Sequence, residues 1–297
     1  LPNDNNLKLV NADIRDLQRI QAECTDHEFF ISLACISNDA SFELDERLST
    51  SINMDAFEPM VLAAKKGGIK RFIYASSSSV YGVSSEKNVT EDHPLVPLTL
   101  YNKFKGMCEP ILEKYCDENF VGVTFRPATV CGYAPRLRLD LSVNILTNHA
   151  INNNIIKVFG GDQLRPNLHV KDYCDAIELL LNAPTEIINK NKYNVGYQNL
   201  SIFEIANIVK RVVENKFPDK NIEIIRTDSD DKRSYHINSE KIKKELNFEP
   251  KLTIENAVED LCEAFEKKLI ENSFVNDIFF NVQRLKNLNI KWKKKLQ

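Results

Sequence analysis

The stretch that decides the fold runs from Leu100 to Cys116 and reads LYNKFKGMCEPILEKYC. Apolar side chains recur along it at helical spacing and the turn-rich residues His93–Pro97 precede it, so an amphipathic helix is predicted. Tyr101 and Lys105 lie four residues apart and therefore share one face of that helix. An ammonium group near a phenol favours the phenolate, which can turn a side chain of pKa about 10 into a base near neutral pH.

A strand and a cluster of hydroxyl groups lie upstream of this helix. Lys70–Ala75 (KRFIYA) is a short apolar run that predicts a buried strand, and it leads into Ser76–Gly82 (SSSSVYG). Hydroxyl groups at the carboxyl end of a strand stand where open α/β sheets bind ligands. A tyrosine and a lysine four residues apart most often form an ordinary surface pair, but the combination with this strand and serine run is far more specific.

On these motifs the chain resembles the extended short-chain dehydrogenases/reductases, in their nucleotide-sugar epimerase/dehydratase group, from Leu9 to about Phe265. The resemblance implies an α/β fold with a doubly wound parallel (Rossmann-like) sheet and a smaller mixed α/β lobe. It implies NAD as the cofactor, with NADP as the alternative, and a nucleotide sugar as the substrate. It also implies a homodimer in which helices 53–66 and 101–116 pack against their symmetry mates.

The resemblance assigns the catalytic roles to Ser77, Tyr101 and Lys105. Tyr101 as phenolate would take a proton from a sugar hydroxyl while the hydride on that carbon passes to NAD. Lys105 would lower the pKa of Tyr101 and bind the nicotinamide ribose. Ser77, four residues before the tyrosine of V-Y-G, would share the hydrogen bond to the substrate oxygen.

The same resemblance implies a set of cofactor-binding residues in the first half of the chain. Asp13 and Ile14 match the pair that contacts the adenine end of NAD, although Asp13 is also a plausible helix N-cap. Besides Tyr101 and Lys105, the predicted cofactor contacts are Asp13, Ile14, Leu33, Ala34, Cys35, Asn53 and Pro127.

Substrate phosphates are expected to meet arginines, whose planar guanidinium matches phosphate oxygens. Arg165 and Arg233 match two arginines with which the family grips the nucleotide diphosphate, and Arg136 and Arg138 are further candidates from the sequence itself. The predicted substrate contacts are Ser78, Thr129, Arg136, Arg138, Asn144, Arg165 and Arg233. Thr129 stands where many relatives have an asparagine that contacts the sugar phosphates. The resemblance therefore does not specify UDP-glucose as the substrate.

The residues after Ser77 carry the information about the reaction. Dehydratases of the group have Asp-Glu where this chain has Ser78-Ser79, and other branches place a cysteine or a glutamate at the position of Ser79. A serine cannot serve as an acid and a carboxylate in turn, so dehydration is disfavoured. The prediction is C4 epimerisation, with a 4-keto-sugar reductase as the alternative and, from another class, a non-catalytic nucleotide-sugar or dinucleotide-binding protein.

Along the chain, strands and helices are predicted to alternate, which indicates a parallel sheet with right-handed crossovers. The predicted elements are strands at 7–10, 28–35, 70–75, 121–127 and 222–225, and helices at 16–25, 49–66, 101–116, 202–213, 239–246 and 254–269. The expected domains are a dinucleotide-binding domain at 1–127 with returning segments, a substrate lobe at 128–269, and a tail or helix at 270–297.

The glycine-rich G-x-x-G-x-x-G loop, which binds the cofactor pyrophosphate, does not occur in the sequence. The chain is therefore expected to begin at the third strand of the nucleotide-binding half, as an amino-terminally truncated Rossmann-like sheet. The 297 residues alone are expected to fold poorly and to bind NAD weakly, with further amino-terminal residues present in the natural chain or supplied from elsewhere.

Composition fits an ordinary soluble globular protein: 43% of residues are hydrophobic and 27% charged, with a net charge of −3. That charge gives no reason to expect nucleic acid as a partner. From the given sequence, neither a signal peptide nor a membrane-spanning segment is expected. The 7 cysteines are scattered without metal-binding spacing, so no metal site is predicted, and reduced thiols in a cytoplasmic enzyme are expected.

Overall fold

A computed structural model describes residues 7–84, 86, 88–228 and 234–289. Its strands are β1 Phe29–Ser32, β2 Arg71–Ala75, β3 Val121–Pro127, β4 Thr129–Cys131, β5 Ile155–Phe159, β6 Leu164–His169, β7 Lys192–Val195, β8 Gln198–Ser201 and β9 Glu223–Thr227. Its α-helices are α1 Leu17–Cys24, α2 Asp39–Phe42, α3 Glu46–Thr50, α4 Phe57–Lys66, α5 Leu100–Tyr115, α6 Ser142–Asn153, α7 Val170–Asn182, α8 Thr185–Ile188, α9 Ile202–Lys216, α10 Glu240–Leu246, α11 Ile254–Glu266 and α12 Asn281–Leu288.

The central sheet contains β1, β2, β3 and β7 in that order, and every pair is parallel. Its middle strands are short apolar runs because both of their faces are covered: β2 and β3 are buried along almost their whole length. Helices α4 and α5 pack on one face and α7 on the other. The predicted parallel, Rossmann-like α/β sheet is confirmed.

A second lobe is built on a mixed sheet, in which β6 pairs parallel with β4 and antiparallel with β8. A separate parallel pair, β5 with β9, lies in the same part of the chain. Helices α6, α9 and α11 bury their apolar faces together over these strands. The mixed α/β character expected for the carboxyl-terminal part is confirmed.

Two predicted elements differ from the structure. The strand expected at 7–10 is not formed: Leu9 is 70% exposed, and among the described residues no strand lies beside it to pair with its backbone. The single helix expected at 49–66 is interrupted, because Ser51–Asp55 forms a π-helical turn between α3 and α4. Such turns are frequent at functional sites, and this one contains Asn53.

The predicted amino-terminal cap of α9 is confirmed. Ser201 caps α9 and forms the expected capping box with Glu204, whose carboxylate accepts from the Ser201 backbone N–H at 2.7 Å. All seven cysteines are free thiols. Within the described part of the chain, no helix combines the length and the apolar character that a membrane crossing requires.

Candidate active site

A cavity of about 430 Å³ opens at the carboxyl ends of β2 and β3, beside the first turns of α5. This is the edge at which open α/β sheets bind ligands. Its lining consists of Leu33, Cys35, Ser37, Asn38, Asp39, Ala75, Ser76, Ser77, Ser78, Ser79, Tyr101, Asn102, Lys105, Pro127, Ala128, Thr129, Val130, Arg138, Leu141, Tyr173 and Tyr235. The structure therefore brings the three predicted catalytic residues into one cavity.

Local geometry fixes each of these three side chains. Ser77 follows the carboxyl end of β2 and caps the short 3-10 turn Ser78–Tyr81, its hydroxyl accepting from the Ser79 backbone N–H. Tyr101 lies in the first turn of α5, which Thr99 caps by accepting from the Asn102 backbone N–H. Lys105, one turn later, is buried and donates from Nζ to the Ala75 carbonyl oxygen at 2.7 Å.

The electrostatic environment of Tyr101 includes Arg138, which the sequence predicts only as a substrate contact. Burial raises the pKa of Tyr101 well above its ordinary value of 10, and the neighbouring Cys35 and Asp39 add to the rise. Arg138 is the neighbouring cation that lowers the pKa of Tyr101. The Lys105 ammonium donates its hydrogen bond to the carbonyl of Ala75. That Lys105 lowers the pKa of Tyr101 stays a prediction.

A buried ionic network supports the cavity from below. Glu109, four residues beyond Lys105 on α5, receives two hydrogen bonds from Arg126, at 2.9 Å from Nε and 2.6 Å from Nη2. The same carboxylate accepts from the Ser76 hydroxyl at 2.6 Å, and Arg126 also donates to the Tyr81 hydroxyl at 2.6 Å. Since Ser76 precedes Ser77, this network ties the catalytic loop to the helix that carries Tyr101.

The predicted cofactor residues divide into groups. Leu33, Cys35 and Pro127 line the main cavity, together with Tyr101 and Lys105. Three others, Ile14, Ala34 and Asn53, surround a second, narrow cavity that shares Cys35 and Lys105 with the first.

Two of the predicted cofactor side chains are engaged within the protein. The Asn53 amide pairs with both backbone groups of Ile36, accepting from N–H at 2.9 Å and donating to C=O at 2.8 Å. The Asp13 carboxylate is held by Arg15 at 2.6 and 2.9 Å. Asn53 thus fixes the loop that follows β1 at the edge of the cavity.

The predicted arginines are spread over different environments. Arg138 lines the cavity and is held by Asp140 at 2.9 Å. Arg136 donates to Asn281 at 2.8 Å, and Arg165 lies over the ring of Tyr235, 5.1 Å from its centroid. Arg233 lies outside the described residues.

Three smaller predicted substrate residues are placed by the structure. Ser78 and Thr129 line the main cavity. Asn144 is buried away from that lining, accepting from the Gly132 N–H at 3.1 Å and donating to the Arg138 carbonyl at 2.9 Å. Its contacts position the backbone of Arg138.

Several residues that line the main cavity are not predicted from the sequence. Ser37, Asn38 and Asp39 follow β1 and line the cavity, and the Asp39 carboxylate accepts from the Thr99 hydroxyl at 2.6 Å. Tyr235 arrives from a distant loop. The position of the first group after a strand was an available signal, whereas nothing local in the sequence marks Tyr235.

The comparisons with known proteins agree with this geometry. The model of the NAD dependent epimerase/dehydratase family matches residues 1–196, and the chain belongs to that family. It is similar to the low-salt glycan biosynthesis protein Agl12 of Haloferax volcanii, at 26% identity over 86% of this chain and 80% of that protein. It is also similar to UDP-arabinose 4-epimerase 1 of Arabidopsis thaliana, at 26% identity over 92% of this chain and 70% of the relative.

Among solved structures, the fold is similar to that of DesIV, a dTDP-glucose 4,6-dehydratase of Streptomyces venezuelae with NAD bound. The TM-score is 0.78 at 18% identity, over 93% of this chain and 83% of that one. The family resemblance seen in the sequence is therefore confirmed, and NAD is confirmed as the cofactor of the family. The residues present fit the nicotinamide end of this cofactor, because the cavity lies at the ligand-binding edge of the sheet and is lined by Tyr101 and Lys105. The glycine-rich loop that would hold the pyrophosphate does not occur in this sequence.

Proposed function

We propose that this chain epimerises a nucleotide sugar at C4 through a transient 4-keto intermediate. The observation that carries the proposal is the meeting of Ser77, Tyr101 and Lys105 in one cavity whose floor continues as Ser78 and Ser79. Two hydroxyl groups at these positions supply no carboxylic acid and carboxylate pair for the removal of water. Asp39 is the one acidic residue among the described lining residues, and its carboxylate accepts a hydrogen bond from Thr99.

In the proposed reaction, deprotonated Tyr101 takes the proton of the C4 hydroxyl while Ser77 hydrogen-bonds the same oxygen. When bound, NAD supplies a reversible hydride acceptor. Rotation of the 4-keto sugar in the cavity would present its other face, and Tyr101 would then return the proton to the oxygen. Lys105 is proposed to bind the cofactor ribose, and Arg138 to lower the pKa of Tyr101 and meet the substrate phosphates.

The test is the identity of the product. Because weak NAD binding is expected of this chain, the purified protein is incubated with NAD in large excess and, separately, with UDP-glucose, UDP-arabinose and UDP-N-acetylglucosamine. The products are separated and their masses are measured by mass spectrometry. The proposal predicts an isomer of unchanged mass and no net change in NAD. A product lighter by one water contradicts it.

A 4-keto-sugar reductase is the second candidate, because reduction requires the same Ser77, Tyr101 and Lys105. The two functions separate on cofactor stoichiometry. A reductase oxidises one reduced nicotinamide for each 4-keto sugar consumed, which absorbance at 340 nm would record.

We further propose a homodimer that uses the outer faces of α4 and α5. These helices pack against each other, and Met107 on α5 is exposed. Light scattering after size-exclusion chromatography measures the mass directly. Substitution of Met107 by glutamate should shift a dimer toward the monomer, because it places a charge in an apolar contact.

A further inference from the structure

A chain of hydrogen bonds leads away from the catalytic serine. The Ser77 and Ser79 hydroxyl oxygens are 2.7 Å apart, and the Ser79 hydroxyl donates to Oδ1 of Asn102. All three side chains line the cavity, and Asn102 is only 6% exposed. Because Asn102 directly follows Tyr101 on α5, the chain connects the catalytic serine to the helix that carries the base.

The direction of this chain follows from counting protons. A hydroxyl group has one proton to donate, and Ser79 gives its proton to Asn102. The contact between the two serines is then donated by Ser77. In this sense Ser77 has no proton left for a substrate oxygen.

The opposite sense requires only that the amide of Asn102 turn over. Its Nδ2 would then donate to Ser79, Ser79 would donate to Ser77, and the Ser77 proton would point into the cavity. An oxygen at C4 that is losing its own proton to Tyr101 needs a donor on its other side. The reversed sense is therefore the one that supports the reaction, in both directions.

We propose that Asn102 and Ser79 are positioning residues that set whether Ser77 donates or accepts a hydrogen bond. An asparagine can hold either sense because it carries both a donor and an acceptor on one amide. The proposal rests on the proposed function, since it concerns the hydrogen bond from Ser77 to the reacting oxygen. No bond other than hydrogen bonds changes in this step.

Two substitutions of Asn102 make a matched test. Asn102→Asp has the same shape, but an ionised carboxylate only accepts and so locks Ser77 as a donor to Ser79. Asn102→Leu removes both donor and acceptor and leaves Ser79 able to turn either way. With UDP-glucose and UDP-galactose as probes, turnover should fall about 100-fold in Asn102→Asp and only about tenfold in Asn102→Leu, with KM little changed.

A merely structural role for Asn102 predicts that the loss of turnover in each variant follows its loss of thermal stability and does not depend on Ser79, because a buried unpaired carboxylate and a lost hydrogen bond both destabilise the fold. The Ser79→Ala background separates the hydrogen-bond chain from the new carboxylate charge of Asn102→Asp acting through space on Tyr101. The large loss caused by Asn102→Asp should shrink in that background, since the link to Ser77 is already broken. A milder loss in Asn102→Asp than in Asn102→Leu, or an undiminished loss without Ser79, overturns the proposal.

A readout without turnover distinguishes this inference from the proposed function. Thermal unfolding is measured for Ser79→Ala, Asn102→Leu and the double variant. Because the two side chains share a hydrogen bond, the double variant should lose about 2 °C less than the sum of the single losses. Additive losses contradict the chain of hydrogen bonds. Absence of epimerisation by the unmodified protein, with coupling intact, contradicts the proposed function instead.

Discussion

The catalytic shelf, formed by residues 75–82, 101–109 and Arg126, contrasts with the amino-terminal segment, residues 7–36. In the shelf, buried polar groups are bonded to one another: the Glu109 carboxylate alone accepts three hydrogen bonds from Arg126 and Ser76. In the amino-terminal segment, apolar side chains stand in the open, with Leu9 70% and Ile31 39% exposed.

This difference shows that the side chains of the shelf have more fixed positions than those of the amino-terminal segment. The Ser77 hydroxyl contacts Ser79 and the Lys105 ammonium donates to the Ala75 carbonyl, so nearby residues of the shelf hold both side chains. Strand β1 pairs with β2 on one side, and it forms one edge of the sheet among the described strands. The shelf should consequently be sensitive to single substitutions and the amino-terminal segment tolerant of them.

The largest expected effect is on the chemistry of the shelf. Tyr101→Phe removes the proposed base and one of many contacts, so turnover of a UDP-sugar should fall more than about 100-fold while its affinity changes little. Steady-state kinetics with calorimetric titration measures both. Tyr173→Phe, another tyrosine of the cavity, is the control and should lose far less. If Tyr101→Phe kept more than about a tenth of the turnover, Tyr101 would not be the base.

Next in size is the loss of the ionic network. Glu109→Gln leaves Arg126 as a buried charge without its anion, which should lower the free energy of unfolding by about 3–5 kcal/mol. Urea denaturation measures the loss. Glu58→Gln removes a half-exposed carboxylate paired with Lys114 and keeps an acceptor for the Tyr115 hydroxyl, so this control should cost much less. Equal losses in the free energy of unfolding would show that the buried Glu109–Arg126 pair stabilises the fold no more than the Glu58–Lys114 pair does.

A smaller effect is expected on pH dependence. The base must be deprotonated, and Arg138 lowers the pKa of Tyr101. Arg138→Met should therefore raise that pKa and move the acid limb of the pH–rate profile to higher pH. Arg138→Lys keeps a cation and should leave the limb nearer its original position. A limb that does not move in Arg138→Met would remove Arg138 from the control of Tyr101.

The smallest effect is expected at the sheet edge, where neighbouring strands offer a matched pair. Ile31 in β1 lies opposite Ile73 in β2, and the two are 39% and 0% exposed. Ile31→Thr should change the free energy of unfolding by less than about 0.5 kcal/mol. Ile73→Thr should cost about 2–4 kcal/mol because it leaves a void and a buried hydroxyl. A loss above about 1 kcal/mol in Ile31→Thr would mean that Ile31 is covered in solution.

The same contrast governs what could be predicted from the sequence. Ser77, Tyr101 and Lys105 could be brought together because each is placed by a local rule: a strand end, a helix start and a four-residue spacing. The cap at Ser201 followed from its neighbour Glu204 in the same way. Such features depend on a few consecutive residues.

Features that depend on distant partners escaped prediction. The strand expected at 7–10 is absent because an apolar run becomes a strand only beside another strand. Arg138 and Tyr235 lie far along the chain from Tyr101, so no local pattern predicts that Arg138 lowers the pKa of Tyr101 or that Tyr235 lines its cavity. The polarity of the Ser77, Ser79 and Asn102 contact depends on three side chains from two elements, and no spacing rule encodes it.

The most direct test of the account follows the hydrogen at C4. UDP-glucose carrying deuterium at C4 is incubated with the protein and NAD, and the recovered sugars are analysed by NMR and mass spectrometry. The expected product is the C4 epimer with deuterium retained at C4, because the same hydride is removed and returned while Tyr101 exchanges only the hydroxyl proton. An epimer that has lost its deuterium to solvent, or deuterium transferred to another carbon of a dehydrated product, would contradict it.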